Sequence, residues 1–231
     1  MHRGQWRPKL IGGEQRRGWI LLGVYILLFP FGMALVQRLA GGLWPAAEAN
    51  AGYYLLLLVC LFLLLRRFLR QEFELLLDWL PENCFAMASG CAGAVLLSLL
   101  TDRLPYPVED LNSVNYAVEY LLSPWATVVL VVVLIPITEE ILFRGVFFGG
   151  LRSYSRVLAY VLSVLLFSLN CVWQFAFSAS GVDLRYLLLA VRYLPLSLAL
   201  TWCYDVGGSV WSPILLHGVL NGLTLWRAVT A

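Results

Sequence analysis

Long apolar segments are the feature that most restricts how this chain can fold. Seven mostly apolar stretches follow one another along the sequence, and a helix needs about 20 such residues to cross the roughly 30 Å hydrocarbon core of a bilayer. Hydrophobic residues make up 61% of the 231 positions and charged residues 13%, against about 45–50% and 25% in soluble domains. Lipid offers no hydrogen-bond partners, so every backbone N–H and C=O inside the bilayer must be hydrogen-bonded within the protein. Helices meet this requirement, and the sequence therefore predicts an all-α, polytopic transmembrane helical bundle.

The apolar stretches predict about seven spans, with eight as the alternative if a re-entrant segment lies among them. The stretch 66–83 mixes charges with large apolar side chains, which favours a helix lying on the membrane surface. We therefore expect N-terminal transmembrane helices with this interfacial helix over residues 1–123, and a helical core over 124–231. The predicted spans are 19–39, 53–65, 83–100, 124–150, 157–177, 184–204 and 212–229.

Basic residues are distributed unequally between the two sides of such a bundle. With the N-terminus inside, ten arginine or lysine residues lie on inner segments, including Arg3 and Arg7, and three lie on outer loops. The positive-inside rule then predicts a cytoplasmic N-terminus and, for seven spans, an external C-terminus. No small-residue cleavage site follows the first apolar stretch, so we expect that stretch to be retained as a span.

Charge and histidine content exclude two classes of function. A net charge of +2, from 16 basic and 14 acidic residues, is too small to create the positive electrostatic potential that attracts a nucleic-acid phosphate backbone. No nucleic-acid partner is therefore expected. The five cysteines follow no metal-ligand spacing, and His2 and His217 are too few for a zinc site built from several histidines. We therefore expect neither a metal nor another cofactor.

The sequence PITEEILFRG places three ionisable residues inside a predicted span, where each costs roughly 2.5–3.5 kcal/mol without a partner or a function. Glu140 and Arg144 are four residues apart and can pair along one helix face. Glu139 lies about 100° further round the helix. We expect Glu139 to be unpaired and suited to accept a proton from water. The alternative is that all three only hold neighbouring helices together.

Two later spans carry further polar residues. In WSPILLHGVLNG, Ser212 is predicted to cap a helix on which His217 and Asn221 share one face. Counting from the intervening turns puts Asn170, in LLFSLNCVW, at about the depth of the glutamates, roughly 20–24 Å from the turns. Three helices are thus predicted to bring polar side chains to one level. A lone histidine on an apolar face, however, is more often a hydrogen-bonded core residue.

These residues resemble the CAAX-protease and bacteriocin-processing family (CPBP, also called Abi), the glutamic-type intramembrane endopeptidases. The family pattern consists of EExxxR, FxxxH, and HxxxN or HxxxD. The first motif matches EEILFR at 139–144 and the third matches HGVLN at 217–221. The resemblance covers about 124–225, and the first three predicted spans match nothing specific.

The resemblance implies an enzyme that cleaves a peptide or a membrane-protein tail without a cofactor. In the family the first glutamate activates the attacking water, so the resemblance makes Glu139 the general base. It makes Glu140 and Arg144 the pair that orients the site, and His217 with Asn221 the oxyanion pocket. Its expected partners are the lipid bilayer and a peptide or membrane-anchored protein substrate, in the inner membrane of a bacterium.

The second motif departs from the family pattern. In Phe167-Ser168-Leu169-Asn170 we assign Asn170 to the place of the family histidine. An asparagine can hold a water molecule but cannot exchange a proton, and losing an acid/base group costs about 10²–10⁴ in rate. The alternative is therefore a catalytically impaired member that acts as a membrane peptide-binding, immunity or regulatory module.

Overall fold

The structure is a computed structural model that describes residues 9–40, 45–178 and 181–230. His2, Arg3 and Arg7, which entered the arguments on metals and topology, lie outside the described residues. A short antiparallel pair, β1 (Phe177–Ser178) and β2 (Gly181–Val182), is a minor addition to a helical fold. The helices are α1 (Gly13–Leu27), α2 (Phe29–Ala40), α3 (Ala46–Leu64), α4 (Arg66–Asp78), α5 (Leu80–Thr101), α6 (Leu111–Leu122), α7 (Pro124–Arg152), α8 (Arg156–Asn170), α9 (Trp173–Ala176), α10 (Ala190–Gly207) and α11 (Trp211–Thr230).

The predicted all-α helical bundle is confirmed, whereas the number of spans stays a prediction. Four helical segments in the described part of the chain are long and apolar enough to cross a membrane: α3, α5, α7, and α10 together with the 3₁₀ turn Leu184–Leu189 before it. Helices α1 and α2 pass the same test only as a pair, and they meet at an angle of 54°. Helix α8 is apolar but has only 15 residues.

Helix α7 lies at the centre of the bundle. Of the 18 residues in its most apolar window 67% are buried, against 17–44% for the three other long spans. Helices α1, α3, α8 and α11 all contact it, and α5 and α10 pack along each other beside this group. A side chain on α7 is therefore surrounded by protein, which is where an ionisable residue inside a membrane finds partners.

Helix α4 is a short amphipathic helix that contacts both the N-terminal segment and the turn between α10 and α11. Its Glu72 lies 2.8 Å from the Lys9 ammonium and accepts a hydrogen bond of 2.6 Å from the Val210 backbone N–H. The Ser209 hydroxyl donates to the Glu72 backbone carbonyl at 2.6 Å. Burial raises the pKa of the Glu72 carboxyl, which Lys9 partly offsets. These contacts fix the turn that precedes α11.

Helix α11 begins at Trp211, two residues before the start that a cap at Ser212 predicts. Gly208, with φ of 85°, ends α10 in the left-handed region that favours glycine. The Ser209 hydroxyl then accepts a hydrogen bond of 3.2 Å from the Trp211 N–H at the helix start. The prediction of Ser212 as the cap is wrong, because Ser212 lies in the first turn and its hydroxyl contacts the Asn83 side chain.

Candidate active site

The three ionisable residues of the first motif are buried at the middle of α7. This helix contains two π-helical stretches, Val129–Leu134 and Glu140–Phe148, separated by one ordinary helical turn. A π turn inserts an extra residue into a helix and is frequent at functional sites. Glu140 and Arg144 have no exposed surface, whereas Glu139 keeps 8% of its surface exposed. Of the two carboxylates, only Glu139 is open to an approaching molecule.

Arg144 is held from three helices. Its Nη1 donates to Glu140 Oε1 at 2.9 Å, so the contact that the spacing predicts is present. Its Nη2 donates to the carbonyl and the hydroxyl of Ser197 on α10, at 3.1 and 3.2 Å. The guanidinium also lies 4.2 Å from the centre of the Phe167 ring on α8. Such a charge-assisted network fixes the position of Glu140.

His217 lies between the two glutamates. Its Nδ1 is 2.8 Å from Glu140 Oε1, and its Nε2 is 3.9 Å from Glu139 Oε2. Because Glu140 Oε1 can only accept, we assign the Nδ1 proton to this hydrogen bond, which turns Nε2 toward Glu139. A separation of 3.9 Å is longer than a hydrogen bond. Both atoms can therefore contact a common small molecule or substrate atom.

Asn221 lies one turn beyond His217 and is oriented by the backbone of α7. Its Nδ2 donates to the Val131 carbonyl at 3.0 Å, within the first π-helical stretch. Gly218 permits this close approach of the two helices, because a Cβ atom there would lie 2.6 Å from the Val132 carbonyl oxygen. The third motif thus places its histidine and its asparagine against different parts of the same helix.

Two tyrosines from the N-terminal helices complete the surroundings of Glu139. The Tyr25 hydroxyl on α1 donates to Glu139 Oε1 at 2.8 Å, and the Tyr54 hydroxyl on α3 lies 3.3 Å from that of Tyr25. The expectation of an unpaired Glu139 is therefore wrong. The position of Tyr25 in GVYILL was a signal in the sequence for this contact. Tyrosines concentrate at the membrane interface, so a tyrosine inside a span needs a buried hydrogen-bond partner.

The second motif requires a correction of one residue. FxxxH separates phenylalanine and histidine by three residues, so counting from Phe167 gives Cys171 as the counterpart and not Asn170. Phe167 itself packs its ring 5.8 Å from that of His217. Asn170 is half-buried at the end of α8, and its role at the site stays a prediction.

Among the described residues, no three histidine, cysteine, aspartate or glutamate side chains are grouped so as to hold a metal ion. The prediction that the reaction needs no metal remains to be tested. The acidic pair and the single histidine of this site are instead suited to moving protons and to stabilising negative charge.

Comparison with known proteins gives two matches. Residues 121–223 match the family model described as type II CAAX prenyl endopeptidase Rce1-like. The UPF0177 protein YbdI of Lactococcus lactis subsp. lactis (strain IL1403) is 32% identical over 118 residues, which is 49% of this chain and 55% of that protein. The chain thus matches about half the length of this curated relative. No solved structure matches it.

Proposed function

We propose that this chain is an intramembrane endopeptidase of the CAAX-protease family that uses a Glu139-activated water, since residues 121–223 match the family model of type II CAAX prenyl endopeptidases. Its substrate is a peptide or the tail of a membrane protein. The observation that carries the proposal is the 3.9 Å separation between Glu139 Oε2 and His217 Nε2. A general base and a candidate oxyanion donor thereby face one small space.

In the proposed reaction, Glu139 takes a proton from water and the resulting hydroxide attacks the scissile carbonyl carbon. The carbonyl oxygen becomes negatively charged, and His217, protonated at Nε2, donates to it together with Asn221. Glu140 accepts the Nδ1 proton of His217 in a hydrogen bond and so stabilises the imidazolium. The C–N bond then breaks as protonated Glu139 returns its proton to the leaving amine.

Glu140 and Arg144 are proposed to orient the site and not to react. Both are fully buried and paired to each other, and Arg144 is anchored to Ser197 on α10. A rigid ion pair behind His217 sets the direction in which its Nε2 points, and such preorganisation is what transition-state stabilisation requires.

A catalytically impaired peptide-binding, immunity or regulatory module is the second candidate. It is favoured by Cys171 at the position of the family histidine, because a neutral thiol is a poor acid/base partner for Glu139. In this case the side chains around Glu139 and His217 would bind a membrane peptide without cleaving it.

The chain is an integral membrane protein. We propose residues 124–231 as its catalytic core and 1–123 as membrane helices with the interfacial helix α4. We further propose the inner membrane of a bacterium, with the N-terminus in the cytoplasm, on the basis of the asymmetry in basic residues.

The test is cleavage of a fluorogenic peptide tail, anchored by a single apolar helix, by purified protein in detergent. Wild type should cleave a member of a panel of such reporters, and Glu139→Gln should abolish cleavage because an amide cannot accept the proton of water. Glu74→Gln is the matched control, since Glu74 forms an exposed pair with Arg70 on α4. Equal cleavage by wild type and Glu139→Gln would disprove the proposal. Equally tight peptide binding without cleavage would favour the binding module.

A further inference from the structure

Glu139 is held by a helix that lies outside the segment matched by the family. Tyr25 belongs to α1, whereas the match begins at residue 121. The Tyr25 hydroxyl is 2.8 Å from Glu139 Oε1, and the tyrosine is only 4% exposed. A hydrogen bond from a phenol to an ionised carboxylate is roughly twice as strong as one between neutral groups. The contact is therefore strong enough to select one orientation of Glu139.

The Tyr25 hydroxyl is itself fixed by a second tyrosine. Because Tyr25 uses its single proton toward Glu139, the Tyr54 hydroxyl at 3.3 Å can only donate to the Tyr25 oxygen. The two phenols thus form a chain that ends on the carboxylate, from Tyr54 through Tyr25 to Glu139. Successive hydrogen bonds of this kind strengthen one another in a low-dielectric interior.

The ring of Tyr25 is fixed by packing as well. It contacts Phe29 at 5.3 Å and Phe143, a residue of the first motif, at 6.2 Å between ring centres. Gly18 brings α1 close to α7, because a Cβ atom at Gly18 would lie 2.8 Å from Val146 Cγ2. Removing the hydroxyl alone therefore leaves the ring where it is.

We infer that Tyr25 is a positioning residue for Glu139, a role that rests on the proposed endopeptidase activity. With Oε1 engaged by Tyr25, the other oxygen, Oε2, faces His217 Nε2 and is the one available to the attacking water. Without the hydroxyl, the carboxylate can rotate and the water is no longer held in line with the carbonyl. Misplacement by about 1 Å costs up to about 10²-fold in rate.

The experiment compares three phenylalanine variants in the anchored-reporter assay. Tyr25→Phe should lower kcat about 10- to 100-fold with KM within about twofold, because the substrate does not touch the hydroxyl. Tyr54→Phe should lower kcat less, since it removes only the second link of the chain. Tyr53→Phe is the matched control. Tyr53 is the neighbour of Tyr54 on α3, and its ring stacks on Phe29 of α2 at 4.3 Å between ring centres. Its kcat should not change.

Two further measurements separate positioning from folding and from the proposed function. The melting midpoint of Tyr25→Phe in detergent should stay near that of wild type. A large fall in this midpoint, or a rise in KM with unchanged kcat, would overturn the inference. The infrared carboxylate band of Glu139, identified by its loss in Glu139→Gln, should shift in Tyr25→Phe and not in Tyr53→Phe. If the band of Tyr25→Phe does not shift, or if its kcat is unchanged while Glu139→Gln is inactive, the role of Tyr25 is overturned and the proposed endopeptidase function is not. Cleavage that persists in Glu139→Gln would overturn both proposals.

Discussion

Adjacent residues on one helix receive opposite surroundings at this site. Glu140 is fully buried and contacts two cationic or potentially cationic side chains, Arg144 and His217. Glu139, one position earlier, contacts a neutral phenol and retains some exposure. A rotation of about 100° along the helix therefore gives the two carboxylates different partners, an ion pair for Glu140 and a neutral hydroxyl for Glu139.

Replacing Glu140 should cost stability as well as activity. Glu140→Gln leaves Arg144 without its carboxylate in a low-dielectric interior, so the free energy of unfolding should fall by roughly 3–5 kcal/mol. Reversible unfolding in mixed detergent measures this change. For the exposed Arg70–Glu74 pair, Glu74→Gln should change the same quantity by about 0–1 kcal/mol. Equal effects of the two variants would contradict a structural ion pair at Glu140.

The cysteine at position 171 should limit the rate of reporter cleavage. If the position four residues after Phe167 handles a proton, Cys171→His should raise the rate of reporter cleavage by about tenfold or more. Asn170→His is the matched control on the neighbouring position and should have little effect. The reverse result, a gain with Asn170→His only, would restore Asn170 as the counterpart of the family histidine.

Among the elements, the contact between α7 and α11 positions two of the predicted site residues, His217 and Asn221. The π-helical stretches of α7 shift its carbonyl groups out of the regular pattern, and the Val131 carbonyl then accepts from Asn221. Helix α11 reaches that carbonyl only because Gly218 lets the two backbones touch. The positions of His217 and Asn221 therefore depend on one residue without a side chain.

A methyl group at Gly218 should separate these helices. Gly218→Ala places a Cβ atom 2.6 Å from a backbone oxygen of Val132, so we expect at least a tenfold loss of activity and a destabilisation of about 1–3 kcal/mol. Gly222→Ala, one turn along the same face, meets only Val132 Cγ2 at 3.7 Å. That variant should be neutral or slightly stabilised, because alanine favours a helix over glycine by about 1 kcal/mol. A neutral Gly218→Ala would contradict the close contact.

At the scale of the whole molecule, both the N-terminal and the C-terminal halves contribute contacts around Glu139. The matched segment 121–223 supplies the glutamates, Arg144 and the third motif, while α1 and α3 supply the tyrosines. Helix α4 joins the two halves through Glu72, which contacts Lys9 and the start of α11. We therefore expect the core 124–231 to need the N-terminal helices for full activity.

The seven-span topology makes a prediction about two exposed positions. Tyr154, 83% exposed between α7 and α8, and Thr230 near the C-terminus are separated by α8, α10 and α11. In a cysteine-free background, an impermeant maleimide should label Thr230→Cys on intact cells and Tyr154→Cys only after lysis. Labelling from the same side would contradict the topology.

Periodicity and spacing along the chain were sufficient for the local features of this protein. Apolar length gave the helical bundle, because a bilayer requires helices wherever the chain crosses it. The four-residue spacing gave the Glu140–Arg144 contact, because such pairs meet within a single helix. These features depend on short stretches of chain, so no knowledge of the neighbouring helices is needed.

Contacts between helices were decided only by the tertiary structure. His217 joins Glu140 across 77 positions and Tyr25 joins Glu139 across 114, and helical periodicity does not specify which faces of distant helices meet. The π-helical stretches of α7 and the approach at Gly218 likewise result from packing against other helices. Most of the ionisable residues of the site could be identified from the sequence by itself. Their partners could not, because these depend on which helix surfaces pack against each other and not against lipid.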